Sequence, residues 1–266
     1  AIPALVALVY SFTDMGVADI RRPLEVDFTF LETFGRVLSN AGFLKSLWTT
    51  GIFIVIGVPL TMAIGLGLAL ALNSGIRRLR AVYRSAFYLP VITNIVAAAV
   101  IWQYAFTLKG PVNTFLAELG LMGPNWLGDP NMAIGTVILL TTWRNVGTCM
   151  VLFLAGLQAI PEDVYEAAAI DGASAWRRFI SMTLPLLKPA TVLVSVLMTV
   201  SYMNIFDEPY LLTKGGPLGS TKSVALWVYE QFGHGNIAAA MAGSYVMLAI
   251  VVLLGILQLR LLRAWR

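Results

Sequence analysis

The sequence predicts an all-α polytopic membrane protein with about six transmembrane helices, the first of them incomplete. Three observations carry that prediction. Of the 266 residues, 58% are apolar and only 12% are charged, against about 25% charged in soluble domains. Such a chain lacks the charges to cover a surface facing water, so lipid is the natural neighbour. Its apolar runs are helix-length, and period-two alternation is absent, which disfavours the closed barrel that lipid would otherwise allow.

The first run, "AIPALVALVYSF", is too short for a crossing, which takes roughly 20 residues. No basic region precedes it, so it does not read as a signal peptide. It reads as the outer half of a membrane helix whose start lies before Ala1. Five full spans follow, roughly Ser46–Leu72, Ala86–Phe106, Ala133–Leu157, Ala190–Thr213 and Ile237–Leu259. Gly57, Gly65, Gly67, Gly147 and Gly243 suit close helix packing, and Pro59 predicts a kink. No internal repeat is visible.

Lys and Arg in the connections set the orientation. The link after the second helix holds Arg77, Arg78, Arg80 and Arg84. On the same side fall Arg177, Arg178 and Lys188, and in the tail Arg260, Arg263 and Arg266. That side carries ten of the 18 basic residues and the opposite side seven. The first group and the C-terminus are therefore predicted to be cytoplasmic, with Arg21, Lys109 and Lys214 facing outward.

Composition also narrows function. The net charge of +4 comes from Arg clusters without interleaved stacking aromatics, which argues against nucleic acid. One Cys, Cys149, and one His, His234, exclude a disulfide framework and leave little for a metal site or a membrane enzyme.

Between the fourth and fifth spans, residues 158–189 form a charged interruption. In "IPEDVYEAAAIDG", Pro161 suits a first helical turn, and Glu162 and Asp163 favour the positive end of the dipole. Gly172 can stop the helix in a left-handed conformation. Val164, Ala167, Ala168 and Asp171 share one face by spacing. Ser174 can cap a second short helix, "AWRRFISM", and Pro185 and Pro189 mark the return to the membrane. Small Ala residues allow another surface to approach, Glu166 offers a charge to a basic partner, and Trp176 and Phe179 offer apolar anchors. The alternative is a loop packed against its own bundle, but a structured loop of this length is usually functional.

The stretch resembles the EAA signature of permease subunits in ATP-binding-cassette importers. Glu166, Ala167, Ala168, Gly172, Met182, Leu184 and Pro185 stand at the signature positions, Met182 where the family usually has Ile. "NWLGDPNMA", "FLAGLQAIPEDVYEAAAIDGAS" and "FDEPYLLTKGGPLGST" resemble the carbohydrate branch, and the likeness runs over most of the chain from Ala41 onward. The resemblance implies one transmembrane permease domain over residues 1–266, with 158–189 as its cytoplasmic coupling loop, in a prokaryotic cytoplasmic membrane. It implies two ATPase subunits that carry ATP and Mg, a second homologous permease and an extracytoplasmic solute-binding protein. The docking residues would be Glu166, Ala167, Ala168, Asp171, Gly172, Trp176, Met182, Leu184 and Pro185. No G-x-x-x-x-G-K-[ST] phosphate cradle occurs, so the chain is expected to bind no cofactor and catalyse no reaction itself.

Polar groups at membrane depth mark the expected substrate path. Arg144, Asn145 and Thr148 lie in the fourth span. Ser201, Tyr202, Asn204 and Asp207 lie in the outer half of the fifth, and Gln103 and Tyr104 near the outer end of the third. They can exchange hydrogen bonds with sugar hydroxyls, or join helices to one another. Arg144 either contacts substrate or pairs with a carboxylate. Its charge keeps glycerol phosphate or a glycerophosphodiester as a second substrate class beside a sugar or polyol. A carrier driven by an ion gradient is the remote alternative, and it would need no cytoplasmic partner helices.

Overall fold

In a computed structural model, residues 2–22, 25–74 and 80–263 are described. Ala1, Arg77, Arg78 and Arg266 lie outside them, as do the side chains of Ala167, Arg80 and Arg263. The described chain is helical, apart from turns and one isolated bridge between Thr13 and Phe28.

Helix α1 spans Ile2–Tyr10, and α2 spans Glu32–Leu38. Asn40 then caps α3, its side chain accepting from Phe43 N at 2.9 Å. Helix α3 runs continuously over Ala41–Asn73, with one π-helical stretch at Phe53–Gly57. That stretch directly precedes Pro59, whose missing N–H loosens the ladder at that point. The region predicted as one third span is a bent pair, α4 (Ala81–Ile92) and α5 (Ile95–Ala105). Asn94 starts the second piece by accepting from Val96 N and Ala97 N. Next come α6 (Pro111–Glu118) and the 29-residue α7 (Pro130–Gln158).

Beyond the interruption, α8 is Glu162–Ile170 and α9 is Ala175–Leu186. Helix α10 (Lys188–Met203) follows α9 with a bend of 67°. The predicted fifth span continued to Thr213, but α10 stops at Met203 and a separate α11 covers Asp207–Thr213. Pro209 accounts for the break: it has no N–H to offer Ile205 and suits a first helical turn, beside Asp207 and Glu208 at the positive end. Helices α12 (Val224–Gly233) and α13 (Ile237–Arg263) complete the order. Helices α3, α7 and α13 are each long and apolar enough to cross a membrane, and the bent pairs α4–α5 and α9–α10 raise the number to five if each counts once.

Contacts gather in two compact units, residues 1–55, 94–140 and 201–254 in the first, and 56–93, 141–200 and 255–266 in the second. In the first, Val37, Phe43, Val224, Trp227 and Ala242 form a buried cluster, and the Phe43 and Trp227 rings meet edge-on at 4.8 Å. The 214–223 loop is tied to α3, where Lys45 Nζ donates to Leu218 O at 2.6 Å and Val224 N donates to Thr50 Oγ1 at 3.0 Å. In the second unit, α3 and α7 touch so closely that a Cβ on Gly65 would lie 2.6 Å from Cys149 Sγ. Cys149 is fully buried there, a small packing residue. Large apolar side chains such as Val55, Ile101 and Leu253 are 72%, 66% and 66% exposed, a surface that lipid rather than water suits.

Candidate functional site

The interruption folds as a helical hairpin inside the second unit. Helix α8 ends as its sequence requires: Gly172 adopts φ +72°, and Ala173 N donates back to Ala168 O at 3.0 Å. This is a Schellman stop, which needs a left-handed residue where Gly172 stands. Ser174 then caps α9, its Oγ accepting from Arg177 N at 3.3 Å. The two arms are joined by a side-chain hydrogen bond between Tyr165 Oη and Thr183 Oγ1, 3.2 Å. Thr183 is buried, and residues Phe179–Thr183 form a π-helical stretch at that level. A surface cavity of ≈ 300 Å³ lies beneath the arms, lined by Leu70, Asn73, Leu157, Tyr165, Arg178 and Phe179.

The hairpin has an inner and an outer face. Ala168 is on the inner one, only 1% exposed, so it packs inside this chain and offers no surface to another. Val164 and Met182 are half-buried. Glu166, Asp171, Gly172, Pro185 and Leu184 are exposed, as is Trp176 at 70%. Ile170 is 87% exposed, one turn from Glu166 on the same side of α8, and sequence reasoning missed it. Its spacing at i+4 from Glu166 was the available signal. The Trp176 and Phe179 rings lie 5.9 Å apart, which braces Trp176 in its exposed position.

The polar path residues fall in two places. Arg144, Asn145 and Thr148 are half-buried on α7 within the second unit, and Asn145 Nδ2 donates to Thr141 O of its own helix at 2.9 Å. Ser201, Tyr202, Asn204 and Asp207 surround the α10–α11 break within the first unit. There Tyr202 is fully buried, Ser201 and Asp207 are half-buried, and Asn204 is exposed. Gln103 serves the same break: its Nε2 donates to Leu211 O at 2.6 Å and Leu212 O at 3.1 Å, capping carbonyls at the end of α11. Tyr104 points outward, 70% exposed.

Three aromatic rings adjoin the break and were not picked out from sequence. Phe206 stacks on Tyr210 at 5.3 Å, and both meet Tyr229 of α12 edge-on at 5.1 and 5.6 Å. Tyr229 is half exposed, and hydrogen bonding with Tyr210 raises its phenol above the ordinary tyrosine pKa.

Helices fit for membrane crossing, interrupted by a hairpin with an exposed outer face, define a membrane-embedded transport subunit. The chain belongs to the family described as the binding-protein-dependent transport system inner membrane component, which matches residues 63–266. It is 36% identical over 237 residues to the trehalose/maltose transport system permease protein of Thermococcus litoralis, covering 89% of this chain and 80% of that one. It is 35% identical over 229 residues to the lactose transport system permease protein of Rhizobium radiobacter, covering 84% and 77%. The fold resembles that of a bacterial ABC transporter involved in the import of the acidic polysaccharide alginate, with TM-score 0.76, 19% identity and coverage of 99% and 89%. The chain is thus a transport subunit that works with a binding protein, and ATP hydrolysis in such systems belongs to partner subunits.

Proposed function

We propose that this chain is one of two permease subunits in an ATP-driven importer that carries a sugar or related polyol into the cytoplasm. What carries the reading is family membership joined to relatives whose names specify trehalose/maltose and lactose transport. The solute arrives on an extracytoplasmic binding protein and passes along the polar groups of α7 and of the α10–α11 break. Two ATPase subunits hold ATP and Mg, and each permease presents its hairpin to one of them. The C-terminus lies in the cytoplasm, on the hairpin's side of the membrane.

The hairpin transmits force because it is a built element. Its corner is fixed at Gly172, its arms are hydrogen-bonded at Tyr165 and Thr183, and α9 leads into α10 through an unbroken backbone ladder: Leu187 N donates to Thr183 O at 2.8 Å and Thr191 N to Leu187 O at 2.9 Å. A push on Glu166, Ile170 or Trp176 therefore reaches the helix that ends at the substrate path. The coupling is mechanical, between two sites that bias one element.

The test is reconstitution of the chain with its partner permease, ATPase and binding protein in vesicles, followed by uptake of labelled maltose, trehalose and lactose, with glycerol 3-phosphate in parallel. ATP-dependent uptake of a neutral sugar supports the reading. Uptake of glycerol 3-phosphate alone replaces the substrate class, and uptake that persists without the ATPase overturns the mechanism.

A further inference from the structure

The first unit contains a second polar site, which none of the substrate-path residues lines. It is a cavity of ≈ 260 Å³ whose lining includes Asp14, Arg36, Asn40, Trp227, Gln231 and Asn236. The cavity sits at the Ala41 end of α3, the end opposite the one that runs into the Arg-rich link.

Its walls are held in place by bonds that do not use up the groups facing inward. The 13–17 segment is fastened to the start of α13 through Val17 N to Gly235 O at 3.1 Å and Ala238 N to Met15 O at 2.9 Å. Buried Thr33 donates to Thr13 O at 2.9 Å and accepts from Arg36 NH2 at 3.1 Å, so it aims the guanidinium. Asp14 Oδ1 accepts from Asp27 N at 3.1 Å, which leaves Oδ2 for another donor. Asn236 Nδ2 donates to Gln231 Oε1 at 2.9 Å, which turns the Gln231 amide and leaves its Nε2 available. Asn40 uses its Oδ1 as a helix cap and keeps its Nδ2. Trp227 is only 4% exposed, yet its Nε1 donates to no protein acceptor among the described residues. A buried indole N–H ordinarily has a partner.

The chemistry of this set selects one class of ligand. Arg36 and Asp14 offset each other, so an anion meets the carboxylate and a cation meets the guanidinium. What remains is a mixture of N–H donors with a carboxylate acceptor, beside an indole. Hydroxyl groups, each a donor and an acceptor, satisfy such a mixture, and an apolar ring face suits the aromatic wall. We propose that this cavity binds a neutral, hydroxyl-rich ring, a single sugar residue, as a site additional to the translocation path. The inference does not depend on the hairpin or on its partners.

The experiment uses the full chain in lipid nanodiscs prepared without glycoside detergents, and saturation-transfer NMR with D-glucose and with glycerol 3-phosphate. Saturable transfer to D-glucose is expected, with glycerol 3-phosphate giving less. Gln231→Leu and Arg36→Leu should each weaken the D-glucose signal about tenfold, the loss expected for one good hydrogen-bonding partner. Arg144→Gln, in the other unit, should leave it unchanged. Size-exclusion profiles of all variants identify any that fail to fold, and Gln231→Glu, which keeps shape and an acceptor, serves as the milder replacement. Absence of saturable binding at about 10 mM overturns the proposal. So does a signal lost in Arg144→Gln but kept in Gln231→Leu, which would assign the sugar to the translocation path. Loss of binding-protein docking in Gln231→Leu, without any D-glucose signal, would make the cavity a protein contact instead.

Discussion

Tyr165 Oη lies 3.2 Å from Thr183 Oγ1, a hydrogen bond that spans the two arms of the hairpin across 18 residues of sequence. Buried Thr183 also approaches Arg178 O at 3.5 Å, so the tyrosine is anchored on a side chain that is itself held by α9. Tyr165→Phe removes the bond and keeps the ring. A net loss of ~1 kcal/mol is expected for one such bond, too little to unfold the chain. The number of solutes imported per ATP hydrolysed should fall severalfold, with assembly of the complex unchanged on a sizing column. An unchanged ratio would mean that the arms need no tie.

The outer face of α8 combines one charge and one apolar side chain, Glu166 and Ile170, both exposed. Glu166→Lys should uncouple ATP hydrolysis from uptake while membrane insertion and helix content stay as in the parent protein; wild-type uptake by that variant would falsify the docking assignment. Ile170→Ser should weaken capture of the ATPase subunit by at least tenfold, since a fully desolvated anchor at an interface is worth about 2 kcal/mol or more. Co-purification at graded ATPase concentrations measures it.

Gly172 and Gly65 are constrained in opposite ways. At Gly172 a Cβ would meet nothing within 4 Å, but φ is +72°. Gly172→Ala should therefore cost about 1–2 kcal/mol of backbone strain at the hairpin corner, seen as lost coupling more than as lost stability. At Gly65 the backbone is ordinary helix, but a Cβ would lie 2.6 Å from Cys149 Sγ and 2.9 Å from its Cβ. Gly65→Ala should lower thermal stability by ~1–3 kcal/mol through overpacking. Gly67→Ala, where nothing lies within 4 Å, should be neutral or stabilising, because alanine favours a helix over glycine by about 1 kcal/mol.

Helix class, hairpin and corner were legible in the sequence because each rests on local chemistry. Apolar runs dictate spans, Gly172 dictates a left-handed stop, and Ser174 dictates a cap. What was not legible depends on tertiary direction. Spacing alone grouped Ala168 with the docking face, yet it is the residue of α8 that packs inward. The fifth span was drawn through Pro209 because hydropathy continues across it, whereas the missing N–H ends α10 at Met203. The ring cluster of Phe206, Tyr210 and Tyr229 needs α12 to come beside α11, and no local pattern announces that. Gln103 likewise read as a polar lining group, while its amide caps the carbonyls of Leu211 and Leu212.

That cap yields a prediction of its own. Gln103→Leu is nearly isosteric but cannot donate, so two carbonyls at the end of α11 lose their partner. A buried acceptor left without one costs about 1–3 kcal/mol. The variant should be measurably less heat-stable, and amide exchange should quicken in α11 while α7 and α13 stay protected. Uniform loss of protection would show instead that Gln103 supports the whole fold.

Arg144 decides how the substrate path is read. It is half-buried in the middle of α7, a helix of 29 residues with no other Lys, Arg, Asp or Glu. A charge at that depth is costly, so it is retained either for structure or for transport. Arg144→Gln separates the two, because glutamine keeps hydrogen-bonding capacity and length while losing the charge. For a residue that meets substrate, the variant should assemble normally and hydrolyse ATP at the parent rate, with affinity for the transported solute reduced about tenfold and preference among neutral sugars altered. For a residue that holds helices together through its charge, expression and thermal stability should drop together, and sugar preference among the surviving molecules should not change. Transport titrations with maltose, trehalose and lactose, run beside a melting curve on the same preparation, distinguish the outcomes, since only the first moves selectivity without moving stability.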